Sequence, residues 1–210
     1  GALQLGVTSL VAGYVLSDVL ARYRRAFPGV DVSAIEDNGD YLEHLLIGGE
    51  LDVAVMVTSN LRDRMALQAE ILEISRYRLW LPLGHKLASA DSISVADIAR
   101  EPLIMLTVDE IEENTAKLLS SLGARPHVAV RTRSVEAVRS LVATGAGVAL
   151  LPDLVYRPWS LEGDRIESRD VSGQLPAVQV GMVWRRGSSL TEAARDFIRI
   201  AQAHRSGRQK

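Results

Sequence analysis

Short apolar runs alternate with helical stripes along most of the chain. Leu3 to Val7 reads as a strand, and Leu16, Val19, Leu20, Tyr23 and Phe27 then recur at helical spacing until Pro28-Gly29 stops the pattern. Thr8-Ser9 precedes this helix, and either hydroxyl suits a cap for its first-turn amides. Val30 to Ile35 reads as a second strand. Asp40 is placed to cap a short helix that carries Tyr41, Leu42, Leu45 and Leu46 and ends at Gly48-Gly49. Leu51 to Val57, apolar except at Asp52, reads as a parallel strand buried on both faces.

The same order returns further along. Pro102 to Leu106 is strand-like, Ile111 to Leu122 is a helix stopped at Gly123, and His127 to Arg131 is another strand. Ser134 to Thr144 is a helix with Val135, Val138, Leu141 and Val142 on one side. Gly145-Ala146-Gly147 then leads into the strand Val148 to Leu151, closed by Pro152. Each half is thus β-α-β-α-β, the pattern of a parallel α/β sheet. Ile71 to Leu83 is extended and longer than the usual strand of about 5–6 residues, which suits a crossing between lobes. Ile166 to Val171 and Val178 to Arg185 are strand-like, and a helix from about Leu190 to Ala203 follows. Two crossings make a hinge with a cleft between the lobes. The predicted division puts residues 1–73 and 172–210 in one lobe and 74–171 in the other.

Composition narrows the chemistry. Of 210 residues, 47% are hydrophobic and 24% charged, which supports a folded core and argues against global disorder. Lys and Arg total 24 against 26 Asp and Glu, and the net charge of -2 argues against this chain alone gripping nucleic acid or an anionic membrane. With no cysteine, a disulfide scaffold, a thiolate metal site and a cysteine nucleophile are excluded. No apolar run approaches the roughly 18 residues that span a bilayer. No basic start with a long apolar stretch and cleavage site is visible, and the immediate opening on a strand fits a cropped chain.

Catalytic signals are sparse. His44, His85, His127 and His204 are scattered without metal-ligand spacing, and the hydrolase and phosphate-loop motifs are missing. Gly145-Ala146-Gly147 begins like a dinucleotide fingerprint, but Leu150 breaks it and the glycines precede a strand; a helix-terminating turn is the better reading. Binding signals are stronger. The carboxyl ends of parallel strands face one edge of a lobe, and there stand Thr8-Ser9, Asn38-Gly39-Asp40 and Thr58-Ser59. In the second half they are Leu106-Thr107 and Thr132-Arg133-Ser134. Hydroxyls, an amide and helix-start N–H groups suit a small polar or anionic molecule; Thr8, Asp40 and Ser134 serve equally well as plain caps. Arg133 suits a carboxylate or phosphate, or is a solvated cation. The acidic turn at Asp109, Glu110, Glu112 and Glu113 fits the helix dipole better than selection of a cationic ligand. Of Trp80, Trp159 and Trp184, only Trp159 beside Pro158 is a candidate to line the cleft. Arg205, Arg208 and Lys210 read as a solvated basic tail.

Several segments together carry a family resemblance. They are Leu5-Gly6-Val7-Thr8 with the helix to Phe27-Pro28-Gly29-Val30, Leu45 to Ala54, Leu79 to Ala88 with its Pro-x-x-His-x-Leu stretch, and Val183-Trp184-Arg185-Arg186. The most specific is Ser134 to Pro152. In this order, across Leu3 to Ala203, they resemble the effector-binding domain of LysR-type transcriptional regulators. The resemblance implies a two-lobed type 2 periplasmic-binding-protein-like fold, each lobe a small sheet flanked by helices, with a small polar effector in the cleft.

It also implies a cytoplasmic regulator without catalysis or cofactor. Its homodimers assemble into tetramers, and DNA is contacted only through an N-terminal winged helix-turn-helix that this chain lacks. Effector-dependent lobe and dimer geometry would control transcription. Dimers would pair the helix near residues 13–27 with that near 134–144 of another copy. The implied pocket is Thr8, Ser9, Leu10, Asn38, Gly39, Asp40, Leu106, Thr107, Thr132, Arg133 and Ser134, with Thr58 at the third strand end. Leu10 departs from the small hydroxyl residue common there, and Asp40 is an odd neighbour for a pure anion, so a ligand with both amine and acid is expected. Redox sensing through cysteine is excluded. A transport solute-binding protein and an enzyme on the same scaffold are the alternatives.

Overall fold

The computed structural model describes residues 1–208, with side chains through His204; the basic tail expected at Arg205, Arg208 and Lys210 lies outside the described side chains. The expected two-lobed α/β class is what the chain forms. Its compact units are Gly1–Ile74 with Val178–Lys210, and Ser75–Ala177.

In chain order the elements begin with β1 (Ala2–Val7), α1 (Ser9–Tyr14), α2 (Leu16–Ala26), β2 (Asp31–Glu36), α3 (Gly39–Ile47) and β3 (Val53–Val57). The long strand β4 (Leu67–Pro82) carries the chain out of the first unit. The second unit adds α4 (Val95–Ala99), β5 (Leu103–Leu106), α5 (Ile111–Ser120), β6 (Val128–Thr132), α6 (Val135–Ala143), β7 (Ala149–Pro152) and β8 (Ile166–Arg169). The return is β9 (Ala177–Arg185), followed by α7 (Glu192–Arg208).

The first unit holds strands in the order β2-β1-β3-β9-β4. Alternation builds β1: Leu3, Leu5 and Val7 are buried while Gln4 faces solvent. Its partners β2 and β3 run parallel to it, with Val7 beside Glu36 and Val55. Asp52 extends the pairing beyond β3, its N–H donating to the Gln4 carbonyl at 2.9 Å and its carboxylate accepting the Gln4 N–H at 2.8 Å. The sheet is mixed and not wholly parallel as expected, because β9 pairs antiparallel with β3. Residues Leu42, Leu45 and Leu46 of α3 join Leu51, Met56, Leu61 and Leu67 in one apolar cluster. Gly6 permits this packing, since a Cβ there would meet Leu42 and Leu51 at 2.7 Å. Elsewhere in the unit Tyr23 of α2 packs edge-on to Phe197 of α7 at 5.5 Å and donates its hydroxyl to the Ala193 carbonyl at 3.0 Å.

Two helix expectations change. The single helix ending at Phe27 is two helices meeting at Val15, which leaves helical geometry at φ −126°; Gly13 and β-branched Val15 both weaken helix there. The cap of α3 is Asn38, not Asp40. The Asn38 side chain accepts the Tyr41 N–H at 2.9 Å, and Asp40 falls inside the first turn.

In the second unit β4 pairs antiparallel with both β7 and β8, while β5 and β6 are parallel. The glycine turn after α6 is a helix terminator, as read from the sequence. Gly145 takes φ +85°, and the N–H groups of Gly145 and Ala146 return to the Val142 and Leu141 carbonyls. Gly147 lies so close to β5 that a Cβ would sit 2.6 Å from the Pro102 carbonyl. Trp80 is fully buried, with the guanidinium of buried Arg139 5.5 Å from its ring centroid and donating to the Val155 carbonyl at 2.7 Å. Trp159 is instead 54% exposed and covered by Arg165 at 5.2 Å. Among the described residues no helix is long and apolar enough to cross a membrane.

Candidate functional site

Parallel strands bring their carboxyl ends to one edge, and in the first unit that edge gathers three segments. Thr8 follows β1 as the start residue of α1, but its side chain makes no cap bond. Its buried hydroxyl instead accepts the Val57 N–H at 3.3 Å, tying the ends of β1 and β3 together. Ser9 is half-buried, and Leu10 is buried as an apolar member of α1. The Asp37 N–H donates to the Val7 carbonyl at 3.0 Å, which sets Asn38, Gly39 and Asp40 beside that end. Gly39 is close-packed, a Cβ there standing 3.2 Å from the Met56 methyl. Asp40 forms a solvated ion pair with Arg62 at 3.1 Å.

Thr58 continues β3 and is buried. Both its N–H, at 2.8 Å, and its hydroxyl, at 3.3 Å, donate to the Gln179 carbonyl of β9, and Ser59 Oγ accepts the Gln179 N–H at 3.2 Å. The structure thus brings Thr8, Thr58 and the Asn38–Asp40 turn to one edge, with most of these polar groups already engaged in holding it. Gln179 and Glu43, the latter holding the loop after Thr58, were not singled out in the sequence. Glu43 had a readable signal: an acid at the border of the apolar stripe Leu42, Leu45 and Leu46.

The second unit builds a smaller edge from β5 and β6. Leu106 lies beside Thr132 in the register and is buried. The Thr107 N–H and hydroxyl both donate to the Thr132 carbonyl, at 2.9 and 3.3 Å. Thr132 Oγ1 accepts the Ser134 N–H at 3.1 Å, and Ser134 caps α6 by accepting the Ala137 N–H at 3.1 Å. Arg133 is exposed and makes no hydrogen bond or ion pair among the described residues. Its neighbour Arg131 is engaged by Glu112 at 2.9 Å. Glu112 and Glu113 lie in the first turn of α5, whereas Asp109 and Glu110 precede it in left-handed backbone, with φ of 50° and 66°. Only half of the expected acidic first turn is therefore helical.

Chemically, these edges offer hydroxyls, main-chain N–H groups and one uncommitted guanidinium, a set that binds and orients polar groups. Among the described residues no three His, Asp or Glu side chains are placed to hold a metal ion. His85 is structural, its Nδ1 accepting the Leu87 N–H at 3.0 Å, and His44 stacks on Tyr41 at 6.5 Å.

The chain matches the family model described as LysR substrate binding domain over residues 1–206. Among solved structures it is similar to HinK, a LysR family transcriptional regulator from Pseudomonas aeruginosa, with TM-score 0.86 and 26% identity over 97% of this chain and 70% of that one. It is also similar to the C-terminal domain of a probable LysR family regulator from a Rhodococcus species, with TM-score 0.87 and 27% identity over 96% and 98% of the two chains. Among curated sequences it is 25% identical over 217 residues to the transcriptional regulator OxyR of Escherichia coli, covering 99% of this chain and 67% of OxyR.

Proposed function

Because the chain belongs to the LysR substrate-binding-domain family, we propose that it senses a small polar effector through the strand-end residues of its two units and passes that state to a transcription regulator. Family membership is the observation that carries this ligand-sensing role. The polar strand ends support the choice of contact residues: Thr8, Ser9, Leu10, Asn38, Gly39, Asp40 and Thr58 in one unit, and Leu106, Thr107, Thr132, Arg133 and Ser134 in the other. Arg133 supplies the cation for an effector carboxylate, being exposed and uncommitted among the described residues. Asp40 supplies an acceptor for an amine by exchanging its solvated Arg62 partner, a pairing worth at most about 1 kcal/mol. In this reading effector binding shifts the association of copies, and DNA contact belongs to another segment of the regulator.

A thermal-shift panel of amino acids, simple dicarboxylates and monocarboxylates tests the reading. A ligand at a hundred times its Kd stabilises by about 2.7 kcal/mol, a readily measured rise in Tm. The expected result is stabilisation by compounds bearing both amine and acid, weakened in Arg133→Ala. Stabilisation by dicarboxylates alone removes the amine, and unchanged affinity in Arg133→Ala removes Arg133 from the site.

A further inference from the structure

A buried carboxylate in the first unit has a role that the strand-end edge itself does not explain. Glu43 lies on α3, 5% exposed, among the leucines that face the apolar cluster. Burying an ionised side chain is costly unless its oxygens are satisfied. The partners of Glu43 are main-chain groups of the loop between β3 and β4. Oε1 accepts the Asp63 N–H at 2.8 Å, and both Oε1 and Oε2 accept the Arg62 N–H at 3.2 Å. Two successive N–H groups thus converge on one carboxylate, the arrangement by which main chain binds an anion, with the chain supplying its own.

The loop begins at Thr58 and Ser59. Away from α3 the loop is fastened by Ser59, which accepts the Gln179 N–H, and by Arg186, which donates to the Arg64 and Ala66 carbonyls. Toward α3, Leu61 enters the apolar cluster and Arg62 reaches the solvated Asp40 one turn before Glu43. Beyond Asp63 the loop opens to water, with Met65 89% exposed. We infer that Glu43 is a positioning residue for the effector site, holding the loop that begins at Thr58 and Ser59 against the helix that begins at Gly39. This rests on the site residues proposed above, whereas the fastening of the loop is open to test without any ligand. Glu43 touches no ligand in this scheme. Its buried bonds to main chain fix the distance between the two wall segments, which the solvated Arg62–Asp40 pair and the Leu61 side chain hold less directionally, so the site is shaped before the effector arrives.

Amide hydrogen exchange on the ligand-free chain tests the fastening, with Glu43→Ala and Glu43→Gln compared with wild type. In Glu43→Ala the Arg62 and Asp63 amides should exchange at least about tenfold faster, since each loses a charge-assisted bond, while amides of β1 and β3 stay protected. Glu43→Gln should fall between, because one carbonyl oxygen still serves Asp63 while the new amide N–H₂ faces a donor. Wild-type exchange in both variants overturns the inference. An equal rise throughout the first unit also overturns it, since Glu43 then acts only through global stability.

The same amino acid and carboxylate panel tests the consequence, and Glu43→Ala should lose most of the ligand-induced rise in Tm. A loosened loop with an undiminished rise overturns the positioning role. A wild-type chain that answers no compound counts against the effector reading alone, and exchange then still decides whether Glu43 holds the loop.

Discussion

At Asn38 a side-chain oxygen replaces the missing helical partner of the Tyr41 N–H, and the neighbouring Asp40, of similar chemistry, does not. Asn38→Ala should therefore cost about 1 kcal/mol, read as a lower denaturation midpoint with unchanged slope, while Asp40→Asn should stay within about 0.5 kcal/mol. The sequence reading places the cap at Asp40, two positions beyond the residue that holds it. Choosing between them needs the backbone angle at which the chain leaves β2, which no side chain announces. Thr8 was similarly legible as an edge residue and illegible in its bond, because its partner Val57 is 49 residues away. Tyr77 shows a residue whose chemistry is set wholly by its surroundings. Burial pushes its phenol up to about 12, against a bond from Asn114 that lowers it. A raised folded-state pKa means that its contribution is intact below the ordinary value near 10 and lost as pH rises through about 12. Stability should thus fall by up to about 2–3 kcal/mol across that alkaline window, and Tyr77→Phe should remove this part of the fall in a denaturation series.

At the scale of elements, the turn joining α6 to β7 is held by two glycines for different reasons. Gly145 needs its left-handed backbone, whereas Gly147 needs to have no Cβ, with the Pro102 carbonyl 2.6 Å from where that atom would stand. Val148 pairs there with the same carbonyl at 2.9 Å, so the strand cannot retreat without giving up that bond. Gly147→Ala should destabilise by about 1–3 kcal/mol, with the amide of Val148 losing exchange protection before those of β6. The positions of most elements were readable because each carries its own period: alternation in β1, a helical stripe in α6, and glycine stops after helices such as α3 and α6. Strand direction was not. β3 and β7 are both apolar throughout, which matches a buried parallel strand, yet each has an antiparallel partner, β9 or β4. An apolar run records burial on two faces and carries no mark of the direction of its neighbour. The break at Val15 escaped for the opposite reason, since the stripe from Leu16 onward is regular and only Gly13 hinted at a joint.

Across the whole molecule, the repeated β-α-β-α-β order and the long extended segment before Leu83 pointed to two units, and the chain changes unit within β4 and at the start of β9. Charge adds a separate constraint. With 24 basic and 26 acidic residues, the chain has no excess of cations to release the counterions of a duplex. A local exception among the described residues is α2, where Arg22, Arg24 and Arg25 are exposed and Arg22 and Arg25 share a face three residues apart. A functional DNA surface would join such cations to others across a groove-sized footprint, whereas three arginines on one helix give a small, salt-labile attraction. The chain by itself should therefore leave a duplex unretarded in a mobility-shift assay at about 0.15 M salt, with at most weak retention at low salt. Retention that survives physiological salt and disappears when Arg22, Arg24 and Arg25 are replaced by Ala would put a DNA contact on α2. Retention indifferent to those substitutions would point to another face. The expected outcome says that these two units by themselves carry no duplex-binding surface able to outlast physiological salt.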